Sequence, residues 1–133
     1  MKIKDIKQKF ESKVLNKVEF VDTMHEFHKV LFDLSENLAN TEIAKIEIED
    51  GKVIFTSRKT PFHPGGAKFY VDVLDKRITP LEAFNFNMYE QEDSEMLYKL
   101  VSENDTIFDI GANIGWYSNH LSKKLPNSTI YAL

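Results

Sequence analysis

The spacing of apolar residues changes along the chain and predicts three successive segments. Over 2–17 and 21–38 apolar residues recur every three or four positions, which is typical of amphipathic helices. After the second helix the period becomes two, which is typical of half-buried strands, and further along helical and strand patterns alternate. We therefore predict an N-terminal helical segment over 1–40, an antiparallel β-meander over 41–78 and a mixed α/β segment over 79–133.

Each of the two predicted helices carries one apolar stripe. The stripe residues are Ile3, Ile6, Phe10 and Val14 in the first helix, and Phe20, Met24, Phe27, Leu31, Leu34 and Leu38 in the second. Because a short link joins the helices, the stripes can face each other in a helical hairpin, or each can pair with a second copy of the chain. His25 and His28 have a spacing that suits a shared metal ion, but no carboxylate or Cys partner is evident, so we interpret them as solvated.

Strand signals dominate the next segment. Ala44, Ile46 and Ile48 alternate with charged residues, which predicts a half-buried strand. Asp50-Gly51 predicts a two-residue hairpin turn, since glycine adopts positive φ freely and aspartate tolerates it. Lys52–Ser57 is then the returning strand.

A stretch rich in proline and glycine separates this hairpin from a third strand. Residues 58–66 contain two prolines and a Gly-Gly pair, so we predict an exposed, mobile loop there, followed by a strand over Lys68–Val73. We interpret His63, Asp72 and Asp75 as surface polar residues rather than metal ligands. The meander is a candidate lid, substrate-side platform or dimer surface.

Helix starts and aromatic residues mark the approach to the last segment. Thr79 and Pro80 have the residue types of a helix cap and of a first helical position. An aromatic cluster is predicted to form core under the coming sheet, and its members are Phe84, Phe86, Met88 and Tyr89. The acidic residues of 90–95 occupy the first turns of the next helix, where the helix dipole favours negative charge.

A strand, a glycine turn and a helix follow. Thr106–Ile110 is short, apolar and β-favouring, so it predicts a buried parallel strand. The stripe of Tyr117, Leu121 and Leu125 predicts a helix packed on a sheet until the Pro-Asn-Ser run that follows it. Residues 129–133 begin a second strand, which completes a β-α-β unit with a right-handed crossover.

The turn of this unit is the candidate functional site. Glycine turns between a parallel strand and a helix place backbone N–H groups and a positive helix end at the carboxyl edge of the sheet, where ligands of open α/β sheets bind. A dinucleotide fingerprint counted from Gly111 requires glycines at 113 and 116, where Asn113 and Trp116 stand. A dinucleotide site is therefore disfavoured. A plain tight turn, with Gly111 and Gly115 chosen for backbone freedom and close packing, stays open.

The motif Asp109-Ile110-Gly111-Ala112-Asn113-Ile114-Gly115-Trp116-Tyr117-Ser118 joins an acid to Gly-x-Asn-x-Gly. It resembles the first motif of class I methyltransferases that use S-adenosylmethionine, in particular the FkbM family of O-methyltransferases. Tyr89-Glu90 and the helical pattern over 95–101 resemble the pair and short helix that this family carries upstream. The resemblance covers roughly residues 80–133. It implies an α/β fold class, in which an α+β N-terminal part precedes the start of a Rossmann-like methyltransferase sheet.

The resemblance also assigns roles to individual residues. The backbone expected to approach the methionine part of S-adenosylmethionine is that of Gly111, Ala112, Asn113 and Gly115, and the Asn is also expected to cap the helix. Asp109 would hold the turn or accept a hydrogen bond from the cofactor ammonium. Of Trp116 and Tyr117, one would shield the cofactor while the other packs inward. Tyr89 or Glu90 would touch the cofactor.

The implied reaction is methyl transfer from the sulfonium to a hydroxyl oxygen of an acceptor that the sequence does not identify. By resemblance, the complete domain has a seven-stranded sheet, and an acidic residue after its second strand binds the ribose, whereas this chain stops at Leu133. We therefore expect the N-terminal part of a methyltransferase, incomplete, inactive alone and weak in cofactor affinity. No catalytic residue and no metal ligand is predicted within it.

The composition of the chain argues against several other classes of protein. A net charge of −4 argues against nucleic acid, because phosphate binding relies on clustered Lys and Arg. The absence of Cys excludes disulfides and fits a cytoplasmic protein. No signal peptide or apolar span is present, and the lysine-rich first helix has a narrow apolar stripe without Trp, so no membrane association is expected.

The alternative function is a non-enzymatic self-associating or partner-binding module. Two parallel strands leave N–H and C=O groups unpaired at both edges of their sheet. A homo-oligomer can therefore form through exposed strand edges or through the helical hairpin.

Overall fold

The computed structural model describes residues 2–72, 74–76, 78–86 and 88–133, without the side chains of 78–81. The helices in these residues are α1 (Ile3–Glu11), α2 (Lys17–Leu38), α3 (Ile78–Asn85), α4 (Gln91–Leu100) and α5 (Trp116–Lys124). The strands are β1 (Ile43–Glu49), β2 (Lys52–Ser57), β3 (Lys68–Val71), β4 (Thr106–Asp109) and β5 (Thr129–Ala132). The chain is therefore a mixed α/β protein, and it divides into two compact units, Met1–Asn37 and Leu38–Leu133.

The first unit consists of α1 and most of α2. α1 ends at Glu11, several residues before the predicted end, and Val14 is exposed rather than part of an apolar stripe. α2 begins earlier than predicted because the Asn16 side chain accepts hydrogen bonds from the N–H groups of Val18 and Glu19 at 2.9 and 3.0 Å. The Glu19 carboxylate accepts the Asn16 N–H in return, which completes a capping box.

The second unit begins with a three-stranded antiparallel sheet in the order β1-β2-β3. The predicted turn is confirmed, since Asp50 and Gly51 both have positive φ, at 49° and 73°. The predicted inward face of β1 is wrong at two of its three positions. The register shifts between Ile43 and Lys45, which leaves Ala44 exposed, and Ile48 lies at the exposed end of the strand.

The loop over 58–66 is exposed at most of its positions but packs inward at His63 and Gly65, so the prediction of an exposed loop is wrong for these two residues. His63 is 4% exposed, and the Thr60 N–H donates to its carbonyl oxygen. A Cβ built on Gly65 would lie 2.5 Å from the Lys59 nitrogen, so the backbone approaches itself closely there. The Arg58 guanidinium donates to the carbonyls of Thr41 and Ile43. Val73, the predicted end of β3, lies outside the described residues.

The predicted β-α-β unit is present at the end of the chain. β4 and β5 are parallel, with Ile107 opposite Ile130, and α5 packs on one face of this pair. Leu121 of α5 and Leu125 just after it lie against Ile107 and Ile130 of this face and are 1% and 6% exposed, so two members of the predicted helical stripe are core residues. The opposite face of the two strands is exposed.

The two sheets of the second unit are joined through α5, which contributes Trp116 to the buried cluster of the meander and Leu121 to the cluster of β4 and β5. One buried cluster joins Phe55 of β2 and Phe69 of β3 to Ala83 of α3 and Trp116 of α5. Of the aromatic cluster predicted as core, Phe86 is instead 61% exposed. In the part of the chain that the structure describes, no helix combines the length and the apolar character needed to cross a bilayer.

Candidate functional site

The glycine turn leaves the carboxyl end of β4 and leads directly into α5. Its backbone has positive φ at Gly111, Asn113 and Gly115, at 78°, 55° and 76°. A Cβ added at Gly111 would meet no heavy atom within 4 Å, so the turn is open on that side. Glycine is needed at 111 for its backbone conformation rather than for lack of space.

Several backbone amides of this turn bond within the protein. The N–H groups of Gly111 and Ala112 both donate to the Leu133 carbonyl, at 2.9 and 3.1 Å, and the Leu133 N–H donates to the Asp109 carbonyl at 3.0 Å. The Gly115 N–H donates to the Ala112 carbonyl at 2.7 Å. The turn is thus fastened to the end of β5. These three amides are engaged, so the donors that a helix start offers a ligand come from the first turn of α5 itself.

Asp109 holds the start of α5 from the neighbouring strand. Its Oδ2 accepts the Ser118 N–H at 3.2 Å and also the Ser118 hydroxyl. A carboxylate in this position satisfies an N-terminal helix amide and lies at the positive end of the helix dipole. The side chain of Asp109 thus binds the start of α5, and its predicted contact with the cofactor ammonium stays a prediction.

The prediction that Asn113 caps α5 is wrong, because Gly115 occupies the N-cap position. Asn113 instead adopts the left-handed backbone conformation in the middle of the turn, where its side chain is exposed. Asparagine tolerates that conformation better than most residues do, which explains why a residue other than glycine stands there.

Trp116 faces the core rather than the outside of the turn. It is 3% exposed, and its ring lies 5.1 Å from that of Phe69 and 5.4 Å from that of Tyr89. The inward-packing residue of the predicted pair is therefore Trp116. It has almost no surface to offer a cofactor, since the apolar ring is more stable in the shared core.

Tyr89 and Glu90 are brought against the same helix start. The Tyr117 hydroxyl donates to the Glu90 carboxylate at 2.7 Å, and the Tyr89 ring packs edge-on against Trp116. Burial raises the pKa of the Tyr117 hydroxyl, and the adjacent Glu90 carboxylate raises it further. The structure thus joins the two stretches that the sequence analysis singled out, through a contact between residues 27 positions apart.

An acidic groove opens beside this corner. Its volume is about 610 Å³, and its lining residues are Glu90, Gln91, Glu92, Asp93 and Glu95. Glu90 lines this groove and also contacts the first turn of α5 through its hydrogen bond with the Tyr117 hydroxyl. Four carboxylates in one groove favour a cationic ligand over an anionic one.

A buried polar cluster, which the sequence analysis missed, lies behind the corner. Its members are Glu42, Ser57, His63 and His120, none more than 4% exposed. His63 Nε2 lies 3.1 Å from a Glu42 carboxylate oxygen, and the other oxygen accepts the Tyr89 N–H at 2.7 Å. His120 Nε2 lies 2.8 Å from the Ser57 hydroxyl oxygen, and the two imidazole rings stack with centroids 3.8 Å apart.

Burial decides the chemistry of this cluster. Burial and, to a lesser extent, the neighbouring His63 together lower the pKa of His120 to about 3. Ser57 and His120 have the spacing of a nucleophile and its base, but both are buried and the Ser57 oxygen also accepts the Ala67 N–H. The pair is therefore structural. The one sequence signal for it is that His120 follows Trp116 by four residues, on the same inner side of the helix.

The other polar residues that the sequence analysis weighed as metal ligands are mostly exposed. His25 and His28 are exposed on α2, as expected for solvated side chains. Asp72 accepts the Leu74 N–H and is exposed, whereas His63 is buried, so the prediction of a surface position is wrong for His63. Among the described residues, no three His, Cys, Asp or Glu side chains are placed to hold a metal ion together.

Comparisons with protein-family models, with curated proteins and with solved structures find no match to this chain. The support for the function therefore consists of the residues of the turn and the geometry around it.

Proposed function

We propose that the turn over 109–115, together with the Tyr89-Glu90 corner, is the S-adenosylmethionine-binding element of a class I methyltransferase. The observation that carries the proposal is the open glycine turn at the carboxyl end of a parallel strand, with an acid at the strand end bound to the following helix. Ligands of open α/β sheets bind at this edge.

The residues of this chain would bind the methionine part of the cofactor. The open side of Gly111 admits a ligand close to the backbone, and Asp109 and Glu90 place negative charge near the cationic ammonium and sulfonium groups. The cofactor supplies an activated methyl group for a hydroxyl-bearing acceptor. The contribution of the protein is to position the reactants and exclude water, for which the Tyr117 ring beside Glu90 is suitably placed.

Weak binding and no methyl transfer are proposed for this chain by itself. The described residues assigned to the cofactor are those of the turn and of the Tyr89-Glu90 corner, which would contact its methionine part alone. An assay of methyl transfer to a panel of hydroxyl compounds tests this claim, and turnover by the chain alone would overturn it.

Cofactor binding is tested by titrating S-adenosylhomocysteine into isotope-labelled protein. Saturable amide shifts are expected at Gly111, Asn113 and Gly115, and shifts elsewhere or none would contradict the proposal. The matched variants are Gly111→Ala and Gly51→Ala, since both glycines have φ near 75° and neither has an atom within 4 Å of an added Cβ. Both should lose similar stability, and Gly111→Ala alone should weaken binding. Competition with NAD distinguishes this site from one for a dinucleotide.

Self-association is the second candidate function, and exposed apolar side chains favour it. Val18 and Phe32 on α2 are each 68% exposed, and Phe108 and Tyr131 stack on the open face of β4 and β5 at 61% and 49%. Patches of this kind mark interaction surfaces. Light scattering across a concentration series tests it, because a monomer at every concentration would exclude self-pairing.

A further inference from the structure

We infer that Glu42 and His63 are positioning residues that hold the Tyr89-Glu90 corner against the start of α5. This inference rests on the proposed function for its ligand, but the contacts on which it depends lie wholly within the protein. Glu42 precedes β1, and His63 lies in the packed loop between β2 and β3. Neither residue belongs to the glycine turn or to the motif that resembles methyltransferases.

The Glu42 carboxylate has two buried partners on different segments. One oxygen lies 3.1 Å from His63 Nε2, and the other accepts the Tyr89 N–H at 2.7 Å. A buried carboxylate is stable only when hydrogen bonds compensate its lost hydration. If the bond to Tyr89 were lost, part of the negative charge on the buried Glu42 carboxylate would therefore be left uncompensated.

His63 is oriented for this task by its other nitrogen. The Gly65 N–H donates to Nδ1 at 3.2 Å, so Nδ1 is the acceptor and Nε2 carries the hydrogen that Glu42 receives. The imidazole stacks on His120 of α5, which keeps its ring plane fixed. The close backbone approach at Gly65 thus sets the direction of the hydrogen bond to Glu42.

The corner is held at both peptide groups of Tyr89. Its N–H is bound to Glu42, and its carbonyl accepts the hydroxyl of Ser94, which is 3% exposed. Glu90 follows with φ of 42° and ψ of 58°, a conformation that side chains other than Gly, Asn and Asp seldom adopt. Fixing Tyr89 therefore fixes the direction in which the Glu90 carboxylate points, towards the Tyr117 hydroxyl.

The test is Glu42→Gln, which keeps the shape of the side chain and removes its charge. Its matched control is Glu49→Gln, a change of the same kind at the exposed end of β1. Hydrogen exchange of the Tyr89 amide should accelerate by about ten- to a hundredfold in Glu42→Gln, because hydrogen bonds to charged groups are the stronger ones. The Tyr117 ring signals should shift with it, and neither should change in Glu49→Gln.

Unchanged Tyr89 exchange in a folded Glu42→Gln protein would overturn the inference. His63→Gln should restore most of the protection that His63→Leu loses, since glutamine can still donate to the carboxylate. If Glu42→Gln does not fold, His63→Leu tests the same carboxylate from its other partner, and unchanged Tyr89 exchange in that variant would then contradict the inference.

S-adenosylhomocysteine separates this inference from the proposed function. If the wild type does not bind it, the proposed function fails, while the exchange of Tyr89 still decides whether Glu42 holds the corner. If it binds wild type and Glu42→Gln equally although Tyr89 exchange has accelerated, Glu42 holds the corner but the corner is not part of the cofactor site, which contradicts that part of the proposed function.

Discussion

Single residues of the second unit work by satisfying backbone groups that are distant in sequence. Asp109 accepts two hydrogen bonds from Ser118, and Glu42 accepts one from Tyr89 across more than forty residues. Each carboxylate accepts a backbone hydrogen bond in the way that a capping side chain next to the segment would. The conformation of the glycine turn and of the Tyr89-Glu90 corner is thus specified from outside each segment.

Gly65 provides the sharpest prediction at this scale. An alanine Cβ at Gly65 would lie 2.5 Å from the Lys59 nitrogen and 2.7 Å from the Arg58 carbonyl carbon, whereas a Cβ at Gly66 would meet nothing within 4 Å. Both residues have φ near 75°, so their backbone strain is alike. Gly65→Ala should lower the free energy of unfolding by roughly 2 kcal/mol more than Gly66→Ala, through overpacking. Chemical denaturation measures it, and equal losses would show that the loop adjusts freely.

At the scale of elements, α5 is the piece on which the others converge. Its Trp116 side packs on the meander, its Leu121 side on β4 and β5, and its first turn meets the Tyr89-Glu90 corner. His120 contacts both Ser57 and His63 from this helix. A change of charge at His120 should therefore affect the stability of the whole second unit.

Because His120 is buried, we predict that the protein loses stability in acid. Its pKa is about 3 in the folded protein and 6.5 without the fold, because burial and His63 disfavour the charged ring. The unfolded chain thus binds the extra proton, so this contribution is complete above pH 6.5 and is lost as the pH falls towards 3. The free energy of unfolding should fall by about 1.4 kcal/mol per pH unit over this range from this residue alone.

The control for that prediction replaces the titrating group. His120→Leu removes the imidazole, and its unfolding free energy should fall less steeply between pH 6.5 and 4 than that of the wild type. His28→Leu on the exposed side of α2 should leave the slope unchanged. Parallel curves for wild type and His120→Leu would contradict the lowered pKa of His120 in the folded protein.

At the scale of the whole molecule, the second unit should unfold as one body, since α5 packs into the buried clusters of both sheets. Phe55 is 1% exposed and contacts the rings of Phe69, Phe84 and Trp116. Phe55→Ala should lower the free energy of unfolding by about 3 to 5 kcal/mol. The meander and α5 should lose their structure in one transition, observed through amide signals of both. Tyr70→Ala, at a ring that is 66% exposed, should have a much smaller effect. Separate transitions of the two sheets would contradict this coupling through α5.

Local patterns predicted most of the elements. The Asp50-Gly51 turn, the second strand and the strand–turn–helix around Gly111 follow from backbone preferences and apolar spacing, which act over a few residues. The packed loop around His63 and the position of Trp116 did not follow, because each depends on a partner far along the chain. Proline and glycine signals for residues 58–66 indicate a loop but not what it packs against.

The sequence by itself determined the order of helices and strands, the glycine turn and the resemblance of that turn to a methyltransferase motif, since these are properties of contiguous residues. Only the tertiary structure decided that Trp116 belongs to the core, that Asp109 binds Ser118, and that Glu42 reaches Tyr89. The physical reason is that burial of a charge or a ring is favourable only where the fold supplies its partners, and those partners come from separate segments.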